Sequence, residues 1–217
     1  MQSNEERSIA MYSRLCALLV GLSLMTSVPI QAARPPGATI PGHTSIVLGG
    51  GCFWCLEAVY EELKGVDTAV SGYAGGHVVN PSYKQVTGGR SGHVEVVEVS
   101  YDPNVVSLDT ILDVFFTIHD PTTRDRQGSD VGPHYRSAAF YRNAQEKQAI
   151  EGAIERTKNS GDWKNPIVTE VTSLEKFYPA EDYHQEYFEL NGTQPYCSLV
   201  IAPKVAKFKK RFATLLK

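Results

Sequence analysis

Three consecutive glycines, Gly49-Gly50-Gly51, constrain this chain more than any other feature. They follow an apolar run at 44–48 that reads as a strand, and they precede a stretch from about 52 to 64 whose apolar spacing suits a helix. A strand that turns through glycine straight into a helix leaves unpaired amides facing whatever stands at the helix head. Here that residue is Cys52, with Phe53, Trp54 and Cys55 behind it. A second strand follows at 67–73, so the intervening helix predicts a βαβ unit.

The rest of the chain continues this alternation. Residues 72–92 are glycine-rich with one short helical turn, and 93–101 is a strong strand. Ser107 caps a helix with Leu108, Ile111, Leu112 and Phe115 on one face, ended by Asp120-Pro121. The next 17 residues, 120–136, show no period, and a loop of that length is expected only where it is functional. A strand at 137–141 follows, then a capping box at Asn143 to Glu146 that opens a helix to about Lys158. A strand at 167–173, a helix at 180–190 and a turn-rich loop at 191–196 lead to a last helix with Val205, Phe208, Phe212 and Leu215 on one stripe. The prediction is an α/β domain over 44–217, a single two-layer unit with a mixed sheet of about five strands packed by helices. At 217 residues such a core buries roughly 70% of the unfolded surface, so it needs neither metal nor disulfide for stability.

Ahead of the domain, 15–25 is an eleven-residue apolar run preceded by Arg14 and followed by small residues up to Ala33. Its length is that of a secretory signal core and too short for a membrane span. The expectation is a signal peptide over 1–32 and a Pro/Gly linker over 33–43, giving a periplasmic or secreted protein; an uncleaved membrane anchor is the alternative. Removal of Cys16 would leave Cys52, Cys55 and Cys197, an odd number, so at least one thiol stands outside a static bridge. The net charge of −3 gives no reason to expect nucleic acid.

A helix head stabilises an anion and draws a thiol toward its thiolate form, which makes Cys52 the candidate nucleophile. A phosphate loop is disfavoured, because Trp54 stands where a dinucleotide fingerprint has its third glycine and no Lys-Ser/Thr pair follows. Zinc would need Cys52 and Cys55 joined by Cys197 and His184, without the usual paired spacing. Buried, inert cysteines are the bland alternative. Phe53 and Trp54 read as core residues or as an apolar pocket beside the thiol. Glu95 shares the odd-numbered face of its strand with Val97, Val99 and Tyr101, so burial should raise its pKa and make it a proton donor. Tyr83, Asp130 and Tyr135 lie in loop-rich segments where functional residues concentrate.

Together the motifs resemble peptide methionine sulfoxide reductases of the A type. The resemblance rests on Gly51-Cys52-Phe53-Trp54, Gly72-Tyr73-Ala74-Gly75-Gly76, Asn80-Pro81-Ser82-Tyr83, and Gly92-His93-Val94-Glu95-Val96-Val97. It continues through His119-Asp120-Pro121-Thr122-Thr123, Arg126-Gln127-Gly128-Ser129-Asp130-Val131-Gly132, Tyr135-Arg136-Ser137 and Ala180-Glu181-Asp182-Tyr183-His184-Gln185, in the family's order. It implies an α+β plait fold and reduction of methionine-S-sulfoxide in proteins or small substrates. It further implies Cys52 as nucleophile, Phe53 and Trp54 as methyl pocket, Glu95 as proton donor, Tyr83 and Tyr135 as hydroxyls around the sulfoxide oxygen, and Asp130 as the acid ordering the site. Cys197, in a mobile carboxy-terminal segment, is the favoured resolving thiol, with Cys55 as alternative or relay. A thioredoxin-like reductant is the implied partner, the enzyme is expected to act as a monomer, and no cofactor or metal is implied. A thiol–disulfide oxidoreductase built on Cys52 and Cys55 is the competing enzyme class.

Overall fold

The computed structural model describes residues 41–217. The signal segment expected over 1–32, and the linker as far as residue 40, lie outside the described residues.

Strand β1 (Thr44–Gly50) runs through the glycines into helix α1 (Phe53–Tyr60) and then into β2 (Val66–Ala74). The glycine-rich stretch holds only α2 (Tyr83–Thr87), whose Ser82 and Gln85 form a reciprocal capping box. After β3 (Val94–Tyr101) comes α3 (Leu108–Ile118), where the Ser107 hydroxyl accepts the Thr110 amide as its composition predicts. Next are β4 (Arg126–Gln127), β5 (Asp130–Val131), β6 (Ser137–Tyr141) and α4 (Ala144–Asn159), which Asn143 caps by accepting the Glu146 amide at 2.8 Å. The chain ends through β7 (Glu170–Ser173), β8 (Phe177–Pro179), α5 (Tyr187–Asn191) and α6 (Ala202–Arg211).

The main sheet has six strands in the order β7-β6-β1-β3-β2-β8, and only the β6–β7 pair is parallel among the pairs that contain β6 or β1. The expected β1-α1-β2 unit is present in split form. Strand β3 inserts antiparallel between β1 and β2, so those two run parallel without touching. Both faces of β3 are covered. Glu95, Val97, Val99 and Tyr101 face the helices, while Val94 and Val96 join Val47, Ala138 and Phe140 beneath Leu174 and Phe177. Such two-sided burial accounts for valines on both faces of this strand.

Three expectations need correction. The sixth strand, β8, is three residues long and carries Pro179, so it has neither the length nor the composition of a predictable strand. The 120–136 segment is not structureless. It folds into the β4–β5 hairpin and a turn at Pro133–Tyr135, tied back by the Gln127 amide to both backbone groups of Asp120 at 3.0 Å. The helix expected at 180–190 is broken into a turn at Asp182–His184 and the five-residue α5, with Glu186 at φ 52 between them. The Gln185 side chain is the reason. Its amide bonds to both backbone groups of Ser71 on β2 and to the Ala180 carbonyl, each at 3.0 Å, which an uninterrupted helix would not permit. No helix among the described residues is long and apolar enough to cross a membrane.

Candidate active site

The site gathers where β1 meets α1. Cys52 stands at the head of α1 with its carbonyl accepting the Cys55 amide at 3.1 Å. Gly51 has φ +92, and a Cβ there would lie 2.5 Å from Gln127 Cγ. Glycine is required because the hairpin seals the turn by contact. Glu95, one strand away, is 1% exposed, and its Oε2 accepts the Phe53 amide at 3.2 Å while Oε1 has no partner among the described residues.

Burial dominates the electrostatics. It pushes the Glu95 carboxyl up to about 8, with the charges of Asp130 and Cys55 adding to it and the Phe53 amide opposing. Glu95 therefore holds its proton at neutral pH. The helix head was expected to favour a Cys52 thiolate, but burial instead pushes the Cys52 thiol well above its usual range, reinforced by Cys55 and Glu95. Cys55 is drawn down to about 7 by a hydrogen bond from Cys52, against burial, with help from the Lys204 ammonium. The two thiols titrate as one coupled unit, so the first proton lost belongs to the pair.

The phenols converge on the same place. Tyr83 is pushed up to about 12 by burial and by Glu95 and Cys52, and Tyr135 is raised further by burial and the same neighbours, so both keep their hydrogens to donate. Phe53 stacks on Tyr83 with centroids 6.5 Å apart, and Trp54 lies flat on Tyr187 at 3.7 Å. The sequence-predicted residues Cys52, Phe53, Trp54, Tyr83, Glu95, Asp130 and Tyr135 thus form one aromatic and acidic pocket around a thiol pair. Cys197 differs from expectation in setting. It is fully buried on a π turn, Cys197–Ile201, that leads directly into α6, with Cys55 near enough to raise its pKa after burial.

Several contributors were missed or weighed only for another role. Tyr196 donates its hydroxyl to Asp130 Oδ2 at 2.7 Å. Glu181 accepts the Tyr73 hydroxyl on one oxygen and the Tyr83 amide on the other, both at 2.9 Å. His184, considered only as a zinc ligand, is a buried ring packed 5.0 Å from Phe53 and 4.5 Å from Tyr83. The residues a zinc site would need do not gather: among the described residues no group of three or more His, Cys, Asp or Glu side chains is placed to share a metal ion. Glu181 and His184 stood inside the Ala180–Gln185 motif, while for Tyr196 the signal was its adjacency to Cys197.

The chain is similar to known proteins in sequence and fold. The family model described as peptide methionine sulfoxide reductase matches residues 44–216. Peptide methionine sulfoxide reductase MsrA of Chromobacterium violaceum is 54% identical over 170 residues, covering 78% of this chain and 97% of the relative. The Nautilia profundicola protein of the same name is 54% identical over 164 residues, covering 76% and 93%. Among solved structures, reduced Mxr1 of Saccharomyces cerevisiae superposes with a TM-score of 0.67 at 34% identity, covering 74% of this chain and 92% of that one. Methionine sulfoxide reductase A of Corynebacterium diphtheriae gives 0.64 at 35% identity, covering 71% and 78%. A thiol pair at a glycine turn, a protonated buried glutamate and a ring of phenols thus occur in a chain whose matches span nearly its whole domain: it belongs to the MsrA family of peptide methionine sulfoxide reductases.

Proposed function

We propose that this chain reduces methionine-S-sulfoxide, in proteins or as a small substrate, through Cys52, and that its oxidised thiols are recycled by a thioredoxin-like donor. The observation that carries the reading is a fully buried Glu95, bonded to the Phe53 amide at 3.2 Å, beside Cys52 at the head of α1. Loss of one proton from the Cys52–Cys55 pair gives access to the Cys52 thiolate, the attacking anion. Cys52 attacks at the sulfoxide group while Glu95 protonates its oxygen and Tyr83 and Tyr135 donate to it, so the developing charge is neutralised as it forms. The substrate S–O bond breaks as its oxygen passes, as hydroxyl, to the Cys52 sulfur, so methionine leaves reduced and Cys52 is oxidised to a sulfenic acid. Phe53 and Trp54 supply the apolar wall for the methyl group, and Asp130 orders the phenols around it.

Condensation of the sulfenic acid with a second thiol releases water and forms a disulfide. The hydrogen bond between Cys52 and Cys55 supports Cys55 as first relay, with Cys197 exchanging next. A disulfide that must be reopened each cycle calls for an external dithiol, which is the basis for the thioredoxin-like partner. Export to the periplasm or outside the cell belongs to the same proposal and rests on the apolar run at 15–25.

Mass spectrometry of the protein after one turnover without reductant tests the cycle. One methionine per chain and a Cys52–Cys55 link that passes to Cys197 are expected. A Cys52–Cys197 link with Cys55 free throughout would reverse the relay order, and absence of methionine would sink the activity. The mass of the mature amino terminus in a host with an export pathway tests the signal segment, and an intact residue 1 in the exported fraction would refute cleavage.

A further inference from the structure

Trp54, one half of the apolar wall, is held by ring contacts alone. Its indole nitrogen is buried and has no hydrogen-bond partner among the described residues, so nothing polar fixes the turn of the ring. Phe53 and His184 meet it tilted and Tyr196 edge-on, with centroids 5.9, 5.5 and 6.0 Å away. Tyr187 is different: it lies parallel within 8° at 3.7 Å, in full face contact. Its own helix does not put it there, because α5 has five residues, none of them buried, and a helix that short is not stable by itself. Side chains grip the Tyr187 backbone instead. Glu57 Oε2 accepts its amide at 3.4 Å, and Asn191 Nδ2 donates to its carbonyl at 3.1 Å. The residue before it, Glu186, is left-handed at φ 52, a conformation that persists in a non-glycine residue only where the surroundings hold it. Glu57 stands on α1 three residues after Trp54, so the two side chains leave the same side of that helix. It is 1% exposed, and its Oε1 has no partner among the described residues. A buried carboxyl bonded on one oxygen is a cost to the fold, which points to a use in the pocket beside it.

We propose that Glu57 is a positioning residue for substrate: by holding the Tyr187 amide it sets Tyr187 flat on Trp54, which fixes the size of the apolar pocket and favours S-methyl over larger S-alkyl groups. This inference rests on the sulfoxide-reductase reading of the site. Without the bond Tyr187 slides off the indole, the indole turns, and the pocket widens, while Cys52 and Glu95 stay where they are. Binding and alkyl selectivity then change and the chemical step is kept. Burial pushes the Glu57 carboxyl up to about 8, with Glu61 adding to it, so at pH 7 it is a neutral acceptor and glutamine is its close copy.

The test is reduction of the S-sulfoxides of N-acetylmethionine and N-acetylethionine by the full chain at pH 7. In Glu57→Leu, which keeps the bulk and loses the acceptor, KM for the methyl substrate should rise about threefold to tenfold with kcat within about twofold. The preference for methyl over ethyl in kcat/KM should fall about threefold or more. Glu57→Gln should restore both. Tyr187→Leu should lose the same preference, and adding Glu57→Leu to it should lower the preference no further. With Trp163→Phe, Trp54 is the only tryptophan left, and its emission should move to longer wavelength in Glu57→Leu and not in Glu57→Gln. If Glu57→Leu does not fold, Glu57→Asp, one methylene shorter, is read in its place. Unchanged KM and preference in a folded variant, losses that add in the double variant, or a Glu57→Gln chain as impaired as Glu57→Leu overturns the proposal. If the wild-type chain releases no methionine, the reading of the site fails and the proposal with it; if it turns over and the preference never moves, the proposal alone fails.

Discussion

The turn from Gly49 to Cys55 and the segment from Ala180 to Ile201 supply side chains to one pocket, yet they are held in opposite ways. In the first, backbone is fixed by sheet and helix, and the absence of side chains lets neighbours close directly on it, His119 against Gly50 and Gln127 against Gly51. In the second, side chains do the holding. Gln185 and Glu181 dock it on β2, Tyr73 and Tyr83; Glu57 accepts the Tyr187 amide at 3.4 Å behind a left-handed Glu186; and Tyr196 is tied to Asp130. Bonds between side chains can be exchanged one at a time, whereas a strand–helix junction cannot shift without unpairing the sheet. The nucleophile and proton donor therefore belong to the rigid part, and the covering residues with Cys197 to the exchangeable part.

The comparison is broken most severely at its rigid end. Cys52→Ser should lower sulfoxide reduction by roughly 10³-fold or more, measured as methionine released in a single turnover. Glu95→Gln keeps an oxygen for the Phe53 amide but has no acidic proton; a loss of about 10²- to 10⁴-fold is expected. In wild type, activity should fall as pH rises past about 8, where Glu95 loses its proton, and that limb should vanish from the variant's pH profile. Retention of the limb would assign it to another group. A thiol–disulfide oxidoreductase would show no such dependence on Glu95.

Stability measurements sharpen the contrast with smaller effects. Gly51→Ala forces a side chain onto a φ of +92 and into Gln127, so urea denaturation should show a loss of about 2–4 kcal/mol. Gln185→Ala removes three hydrogen bonds from the exchangeable segment and should cost about 1–3 kcal/mol. Faster amide exchange in that variant should be confined to the 180–201 segment, with the glycine turn still protected; loosening of both together would mean that the two regions are one unit.

The smallest effect concerns Glu57, whose carboxyl is pushed up to about 8 by burial and then by Glu61. A carboxyl raised on folding stabilises the fold fully below its ordinary value of 4.5, and that contribution is lost as pH rises through 8. Between pH 7 and 9 the loss is on the order of 1 kcal/mol. Glu57→Gln should reduce the slope of thermal stability over this window, with Glu95 supplying the remainder, and an unchanged slope would show that Glu57 does not ionise there.

Legibility in the sequence followed the same division. Local signals survived translation into structure: the glycine turn, the Ser107 and Asn143 caps, and the odd-numbered face that buries Glu95. Signals that depended on distant partners did not. The 180–190 stretch has a helical pattern, but Gln185 is committed to a strand more than a hundred residues earlier, and that bond decides against the helix. The hairpin at 126–131 has strands of two residues each, too short to show any period, and its order comes from Gln127 reaching back to Asp120.

The sequence by itself determined the identity of the family, the strand–glycine–helix turn that presents Cys52, and the buried setting of Glu95, because each depends on residues adjacent in the chain or on the two-residue period of one strand. Tertiary packing was needed to show that Cys197 is sheltered in the core and that the Tyr196 hydroxyl is held by Asp130. Burial is the reason in each case. Desolvation raises the Cys52 thiol, and desolvation is set by which distant segments close over a site, a quantity no local stretch of sequence contains.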